Sequence, residues 1–286
     1  MLNPVWLKSF NVLYQLRSFQ AAANQLGIAQ PTLSQHIMKL EEHLGTLLFR
    51  RGKSGCEPTR AALALQPFAN SILRLNEQAK TAVQETSLRI GASSNVGIYL
   101  LQPYLRSFQQ IHSMPDLDLT ISSNPAIAKQ LTNGELDIAV MEWWHPVPGF
   151  QARSWKQEPV VLIVPPGHPY AGLRSINRQT LAGMSLLGGE PGTGTGRLLA
   201  RFFGASGQFP SVSMELGSTE AVKQSVKSGL GASLVLASAV TEETRSGSLV
   251  AIPVRGQGLA KELMVISPEA IARQPPVSTF VDHICQ

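Results

Sequence analysis

Cysteine is scarce in this chain of 286 residues: Cys56 and Cys285 are the only two, far apart and without CxxC or Cys/His ligand spacing. That excludes a disulfide-stapled scaffold and a structural zinc site, and leaves a redox switch between the two as the alternative to plain packing. Long apolar runs are missing as well. No window reaches about 18 uninterrupted apolar residues, the span of a membrane helix, and the start, MLNPVWLKSF, lacks the basic stretch and apolar run of a secretory signal. A cytoplasmic protein with no membrane partner is expected. Internal repeats and low-complexity tracts are absent. So are a Ser/His/Asp order, a carboxylate pair and a metal-ligand cluster at local spacing, so the sequence predicts no catalytic residues, no metal and no cofactor.

What is present is 43% hydrophobic residues and a net charge of +5, unevenly placed. Residues 1–89 hold 10 Lys/Arg against 5 Asp/Glu, whereas residues 90–286 hold 14 of each. The excess positive charge therefore belongs to the N-terminal third, as in a nucleic-acid-binding module joined to a neutral one; a solvated basic helix would give the same count.

Within that third, SFQAAANQLGIAQPTLSQHI (Ser18–Ile37) carries two short amphipathic patterns. Phe19, Ala22, Ala23 and Leu26 fall at helical spacing, and Leu33, Ile37 and Leu40 repeat it after Gly27-Ile28-Ala29. Gly27 suits a helix C-cap and Pro31 a helix first turn. The spacing fits an ordinary αα-hairpin or a helix-turn-helix. The polar face of the second helix favours the latter: Gln30, Pro31, Thr32, Ser34, Gln35, His36 and Lys39 cluster toward its N-terminal half, where a recognition helix meets base edges in double-stranded DNA. A turn-rich loop follows, with Arg50, Arg51 and Lys53 placed to grip phosphate as a wing. Thr59 can cap a long helix over 60–85, whose apolar residues Leu65, Phe68, Ile72, Leu75, Ala79 and Ala82 form one stripe. That stripe suits either packing within its own domain or, preferably, pairing with a second copy, and Pro67 suggests a kink.

From Leu88 the rhythm changes. Short β-branched runs (LRIGAS, LDLTIS, ELDIAVM, VVLIVP, VSMEL, ASLVLA, LMVIS) alternate with helical patterns at 98–110, 126–133, 196–203, 219–228 and 276–284. This predicts α/β sheets with parallel pairs.

The quoted N-terminal motif resembles the LysR-type transcriptional regulators, through Ser-Phe-x-Ala-Ala, Gln-Pro, Leu-Ser, Leu-Glu-x-x-Leu-Gly and Leu-Phe-x-Arg in order. GELDIAV at 134–140 and SGLGASLV at 228–235 are looser matches. Gln35, His36 and Met38 depart from the Arg or Gln of many members, and Ala62 stands where the family usually has glycine. The resemblance implies a winged helix-turn-helix over 1–59, a linker and dimerisation helix over 60–87, and an α/β effector domain over 88–286. That domain would have two subdomains like type-2 periplasmic binding proteins, about 88–163 plus 265–286 and about 164–264, in a homotetramer built as a dimer of dimers. The runner-up reading is a binding or catalytic α/β protein whose helical N-terminus does not bind DNA.

If two subdomains enclose a cleft, its contacts come from loops that follow strands and open helices. These are rich in small hydroxyl residues: Ser93, Ser94 and Asn95; Ser123 and Asn124; Thr193, Thr195 and Gly196; Ser218 and Thr219. Hydroxyls and helix N-terminal amides favour an anionic effector, a carboxylate, sulfate, sulfonate or phosphonate. PGTGTG is neither a P-loop nor GxGxxG, and a lone Gly-rich loop is more often a plain turn. Thr195-Gly196-Arg197 resembles the Thr-Gly-Arg of the family's cysteine-regulon branch, whose ligands include sulfate. Trp143, directly after a strand, is a secondary candidate beside its packing role.

Overall fold

The computed structural model describes residues 2–52, 55–84, 87–112, 116–204, 209–255 and 259–286. Their contacts divide the chain into two units, residues 1–87 with the short segments 129–137 and 147–149, and the remainder.

The first unit is built by local rules. Helix α1 (Pro4–Leu16) starts at Asn3, whose side-chain oxygen accepts the Val5 amide at 2.8 Å. Helix α2 (Phe19–Leu26) is capped by Ser18 and ends at Gly27, which takes φ 66°, a left-handed conformation that costs glycine little. Helix α3 (Gln30–Leu44) follows with Pro31 in its first turn. Leu7, Phe10 and Leu13 of α1, Ala22 and Ala23 of α2, and Leu33, Ile37 and Leu40 of α3 bury one shared core. The alanines matter because small side chains let α2 approach its neighbours closely.

After α3, the strands β1 (Phe49–Gly52) and β2 (Gly55–Pro58) form an antiparallel hairpin, in register from Phe49↔Pro58 to Gly52↔Gly55. Glu41 ties it to α3, its Oε1 accepting the Leu48 and Phe49 amides at 2.6 and 3.1 Å. Thr59 donates to the Leu47 carbonyl at 2.8 Å and accepts the Ala62 amide at 3.3 Å. It thereby caps helix α4 (Arg60–Gln84), which carries Pro67 within one continuous helix.

The apolar stripe of α4 is divided in a way its spacing does not reveal. Leu65 and Ile72 pack with the fully buried Ala62 and Ala69 against the unit's own core, while Phe68 and Leu75 remain 67% and 41% exposed and Ala79 is also exposed. The preference for pairing the whole stripe with a second copy is therefore corrected for Leu65 and Ile72, which pack within their own domain. Helix α1 supplies the cover. The side chain of Ala82 lies outside the described residues.

The second unit contains two lobes. In the first, β3 (Leu88–Ser93) leads through α5 (Ser94–Tyr99) and α6 (Gln102–Ile111) to β4 (Leu117–Ser122), then through α7 (Asn124–Asn133) to β5 (Ile138–Met141). Strand β3 is central, parallel to β4 on one side and β5 on the other. The single helix expected over 98–110 is two helices, because Pro103 has no amide with which to continue a helix from α5.

Strand β6 (Phe150–Val164) crosses to the second lobe, where α8 (Arg178–Ala182), β7 (Ser185–Leu187), α9 (Gly194–Phe203), β8 (Ser211–Met214), α10 (Thr219–Lys227) and β9 (Ser233–Leu236) follow. The remaining elements are α11 (Thr241–Ser246), β10 (Val250–Pro253), the return strand β11 (Ala260–Pro268) and α12 (Val277–Ile284). Strand β7 pairs in parallel with β8 and bridges in parallel to Ala232 beside β9. The same arrangement thus recurs in both lobes, with the chain reversing its strand order about β3 and about β7. Such switch points leave a crevice at the carboxyl ends of the strands.

The long strands β6 and β11, antiparallel along their length, carry the chain from lobe to lobe. From Val160 onward β6 already lies between β9 and β10, so the second lobe's sheet begins a few residues before the expected boundary near 164. Among the described residues, no helix is long and apolar enough to cross a membrane.

Candidate functional site

Helix α3 presents two faces. Leu33, Ile37 and Leu40 are buried, while Gln30, Pro31, Thr32, Ser34, Gln35 and Lys39 are exposed. The cap residue Ala29 supplies no side-chain acceptor, which leaves the first-turn amides of this 15-residue helix open to a phosphate oxygen.

His36 differs from its neighbours. It is half-buried, with Nδ1 2.8 Å from the hydroxyl of Ser9, which is itself 2% exposed. The expectation that His36 faces outward as Gln35 does is corrected to this extent: α1 holds one ring nitrogen, Nδ1.

Arg50 projects from β1 and is exposed. Arg51 pairs with Cys56 in the hairpin, its side chain lying outside the described residues, as Lys53 does altogether. Cys56 and Cys285 are both free thiols. Burial raises the pKa of each above the ordinary thiol value, so neither is primed as a thiolate.

In the second unit a cavity of about 440 Å³ opens between the lobes. Ser93, Ser94, Asn95, Ser123, Asn124 and Trp143 line it from the first lobe, and Thr193, Thr195, Ser218 and Thr219 from the second. Gly196 is the exception and is corrected. A Cβ at that position would strike the Glu190 carbonyl oxygen and come within 2.8 Å of the Gly189 carbonyl oxygen. Glycine stands there to let the start of α9 close on the preceding turn.

Several of the hydroxyls are already engaged. Thr193 caps α9 by accepting the Gly196 amide at 3.0 Å, and Ser218 caps α10 by accepting the Ala221 amide at 3.2 Å. Ser123 meets the Ala126 amide at 3.4 Å, and Ser94 donates to the Ser122 carbonyl at 3.0 Å. The carboxamide of Asn124 is spent on backbone, accepting the Glu142 amide and donating to the Trp143 carbonyl.

The centre of the cleft is a chain of polar contacts that the sequence pattern does not reveal. Thr219 donates to Asn95 Oδ1 at 2.7 Å, and Asn95 donates to Glu142 Oε1 at 2.9 Å. Lys261 Nζ donates to Glu142 Oε2 at 2.6 Å and lies 3.4 Å from Thr195 Oγ1. The ion pair is deeply buried, its side chains 5% and 8% exposed, and it rests on Gly194, where a Cβ would strike the carboxylate. In the described wall of this cavity two buried groups remain unengaged. The Ser93 hydroxyl and Glu190 Oε2 are buried without a hydrogen-bond partner, and both residues line the cavity.

Beside the cleft, on α10, Lys223 meets Glu243 at 2.9 Å and Glu220 at 3.0 Å. Burial alone would lower its pKa, but the bonds to Glu243 and Glu220 outweigh that and raise it above the ordinary lysine value.

Comparison with known proteins agrees with this architecture. The family model described as "Bacterial regulatory helix-turn-helix protein, lysR family" matches residues 5–63, and the one described as "LysR substrate binding domain" matches residues 82–286. The putative HTH-type transcriptional regulator protein PtxE of Stutzerimonas stutzeri is 50% identical over 196 residues, covering 68% of this chain and all of that protein. The RuBisCO operon transcriptional regulator of Allochromatium vinosum is 31% identical over 256 residues, 87% of this chain and 84% of that one. A full-length OxyR variant from Pseudomonas aeruginosa shares the fold with a TM-score of 0.68 at 24% identity, covering 99% of this chain and 95% of that one.

Proposed function

We propose that this chain, which belongs to the LysR family of transcriptional regulators, responds to a small anion held between the lobes of its effector-binding unit. Membership of the family makes the helix-turn-helix a DNA-binding module and the second unit an effector-binding domain. The observation that carries the anion is Ser93. Its hydroxyl is buried in the cavity wall without a partner, and such a group costs about 1–3 kcal/mol until something bonds to it.

The starts of α9 and α10, of 10 and 9 residues, add positive helix ends on the other lobe, and Lys261 adds a buried cation. The carboxylates narrow the class. Glu142 has both oxygens engaged, by Lys261 and by Asn95, whereas Glu190 Oε2 has none of the described groups to accept from. An anion that also carries a hydrogen-bond donor satisfies both Ser93 and Glu190. A hydroxycarboxylate or a hydrogen phosphonate fits that demand better than sulfate or a simple sulfonate does.

Thermal unfolding of the full chain against a panel of small anions tests this, since a bound ligand raises stability by mass action. Ser93→Ala is expected to weaken the stabilising anion by about 1.5 kcal/mol, roughly tenfold. Without anion it should raise the unfolding temperature, since the unpaired hydroxyl is gone, and leave the DNA affinity unchanged. Stabilisation only by uncharged or cationic compounds would refute the anion; an unaltered response in Ser93→Ala would remove the residue that carries the reading.

The exposed Phe68 and Leu75 of α4 support self-association through that helix, in a dimer that would set two recognition helices on the half-sites of a near-palindrome. Phe68→Asp is expected to lower the oligomeric mass seen in sedimentation and to reduce binding to a two-half-site operator toward that of a single half-site. Unchanged mass would show that this face is not the interface.

A further inference from the structure

The Glu142–Lys261 pair also lines a second cavity. This one, of about 260 Å³, shares Glu142, Trp143, Gly194 and Lys261 with the cleft, but its remaining wall is chemically different. Helical spacing on α9 sets Gly194, Arg197 and Arg201 along one face, and strand alternation on β11 sets Ala260, Glu262 and Met264 on one face. Trp144 is also in its wall.

Both arginines line this cavity, and Arg201 is exposed. The Arg197 guanidinium lies over the Trp143 indole, 3.9 Å from the ring centroid, and 3.3 Å from His145 Nε2. Neither Arg197 nor Arg201 has a carboxylate partner among the described residues. The hydroxyl-lined cleft and this indole-lined cavity are therefore two environments that share one ion pair.

We propose that the outer cavity is a second ligand site, for a planar aromatic monocarboxylate. The guanidinium fork of Arg201 matches a carboxylate in two parallel hydrogen bonds. Trp144 offers a flat π face and Met264 a polarizable thioether to a ring, at the edge of which sulfur contacts are favourable. The charge balance selects a monoanion. Glu142 and Lys261 cancel, Glu262 offsets one of the two arginines, and one positive charge remains. A dianion such as phosphate would leave a charge uncompensated, and it would gain nothing from the indoles. The proposal does not rest on the identity of the ligand in the cleft.

Benzoate titrated into the full-length protein, followed by tryptophan fluorescence, tests it, with cyclohexanecarboxylate as the same charge without a π face and inorganic phosphate as the dianion. Saturable benzoate binding is expected. It should be weakened about tenfold or more in Arg201→Ala, the loss of one bidentate charge-assisted contact, and unchanged in Ser93→Ala. Because Arg201 is exposed, its truncation should leave the fold intact, and Trp144→Leu provides a second variant expected to weaken benzoate while leaving the unfolding temperature near that of the parent. Cyclohexanecarboxylate and phosphate should bind more weakly than benzoate. The absence of saturable binding at millimolar benzoate would overturn the proposal. So would loss of binding in Ser93→Ala with retention in Arg201→Ala, which would assign benzoate to the cleft, or equal binding of benzoate and cyclohexanecarboxylate, which would remove the aromatic requirement.

Discussion

Lys261→Met is expected to abolish the response to effector and to destabilise the protein by roughly 3–5 kcal/mol, the usual consequence of removing one partner from a buried ion pair. The reason is geometric. Lys261 Nζ sits 2.6 Å from Glu142 Oε2, with both side chains almost wholly out of solvent. Without the ammonium, the carboxylate keeps only Asn95 as a side-chain donor among the described contacts.

The double variant Lys261→Met/Glu142→Leu separates the two consequences. Replacing a buried pair by apolar groups of similar volume is close to neutral for folding, so the unfolding temperature should return most of the way. The effector response should not return, since the cleft would have lost its only buried cation among the described residues. Chemical denaturation and effector-dependent DNA binding read the two effects independently. If Lys261→Met unfolds at the parent's denaturant concentration, the pair is not buried in solution. A double variant that still responds to anion would exclude Lys261 from effector recognition.

The second large effect is expected at Gln35. Its carboxamide is exposed on the recognition helix, and such a group can pair bidentately with adenine, so Gln35→Ala should cost about 1–3 kcal/mol on the protein's own operator. On random DNA it should cost nothing. Arg50→Ala, on the hairpin, should instead weaken both DNAs alike and flatten the dependence of affinity on salt, because a phosphate contact carries no sequence information. Equal losses on operator and random DNA for Gln35→Ala would reassign it from reading bases to contacting the backbone.

The helix-turn-helix was legible from the residues because the signals that build it act over a turn or less. Gly27 closes α2 and Pro31 opens α3, whatever the rest of the chain does. The cleft's Ser93, Thr195 and Thr219 were legible for the same reason, each standing where a strand or turn gives way to a helix start. Gly196 stands at such a start too, yet it backs onto the Glu190 carbonyl. Which side of a helix start faces a cavity is set by the neighbouring segment and leaves no mark in the local pattern.

His36 and the stripe of α4 repeat that limit. Periodicity assigns a residue to a helix face, but the partner of that face, Ser9 for His36 and α1 for Leu65 and Ile72, comes from packing. The ion pair at the centre of the cleft was beyond local reading altogether. A lysine in a strand ordinarily reads as a solvated residue, and the carboxylate that meets Lys261 lies 119 residues away. Only the antiparallel register of β11 on β5, Met264 opposite Met141, brings Lys261 beside Glu142. Since a slip of one residue would turn Lys261 to the other face of the sheet, the charge at the heart of this site is a product of strand pairing.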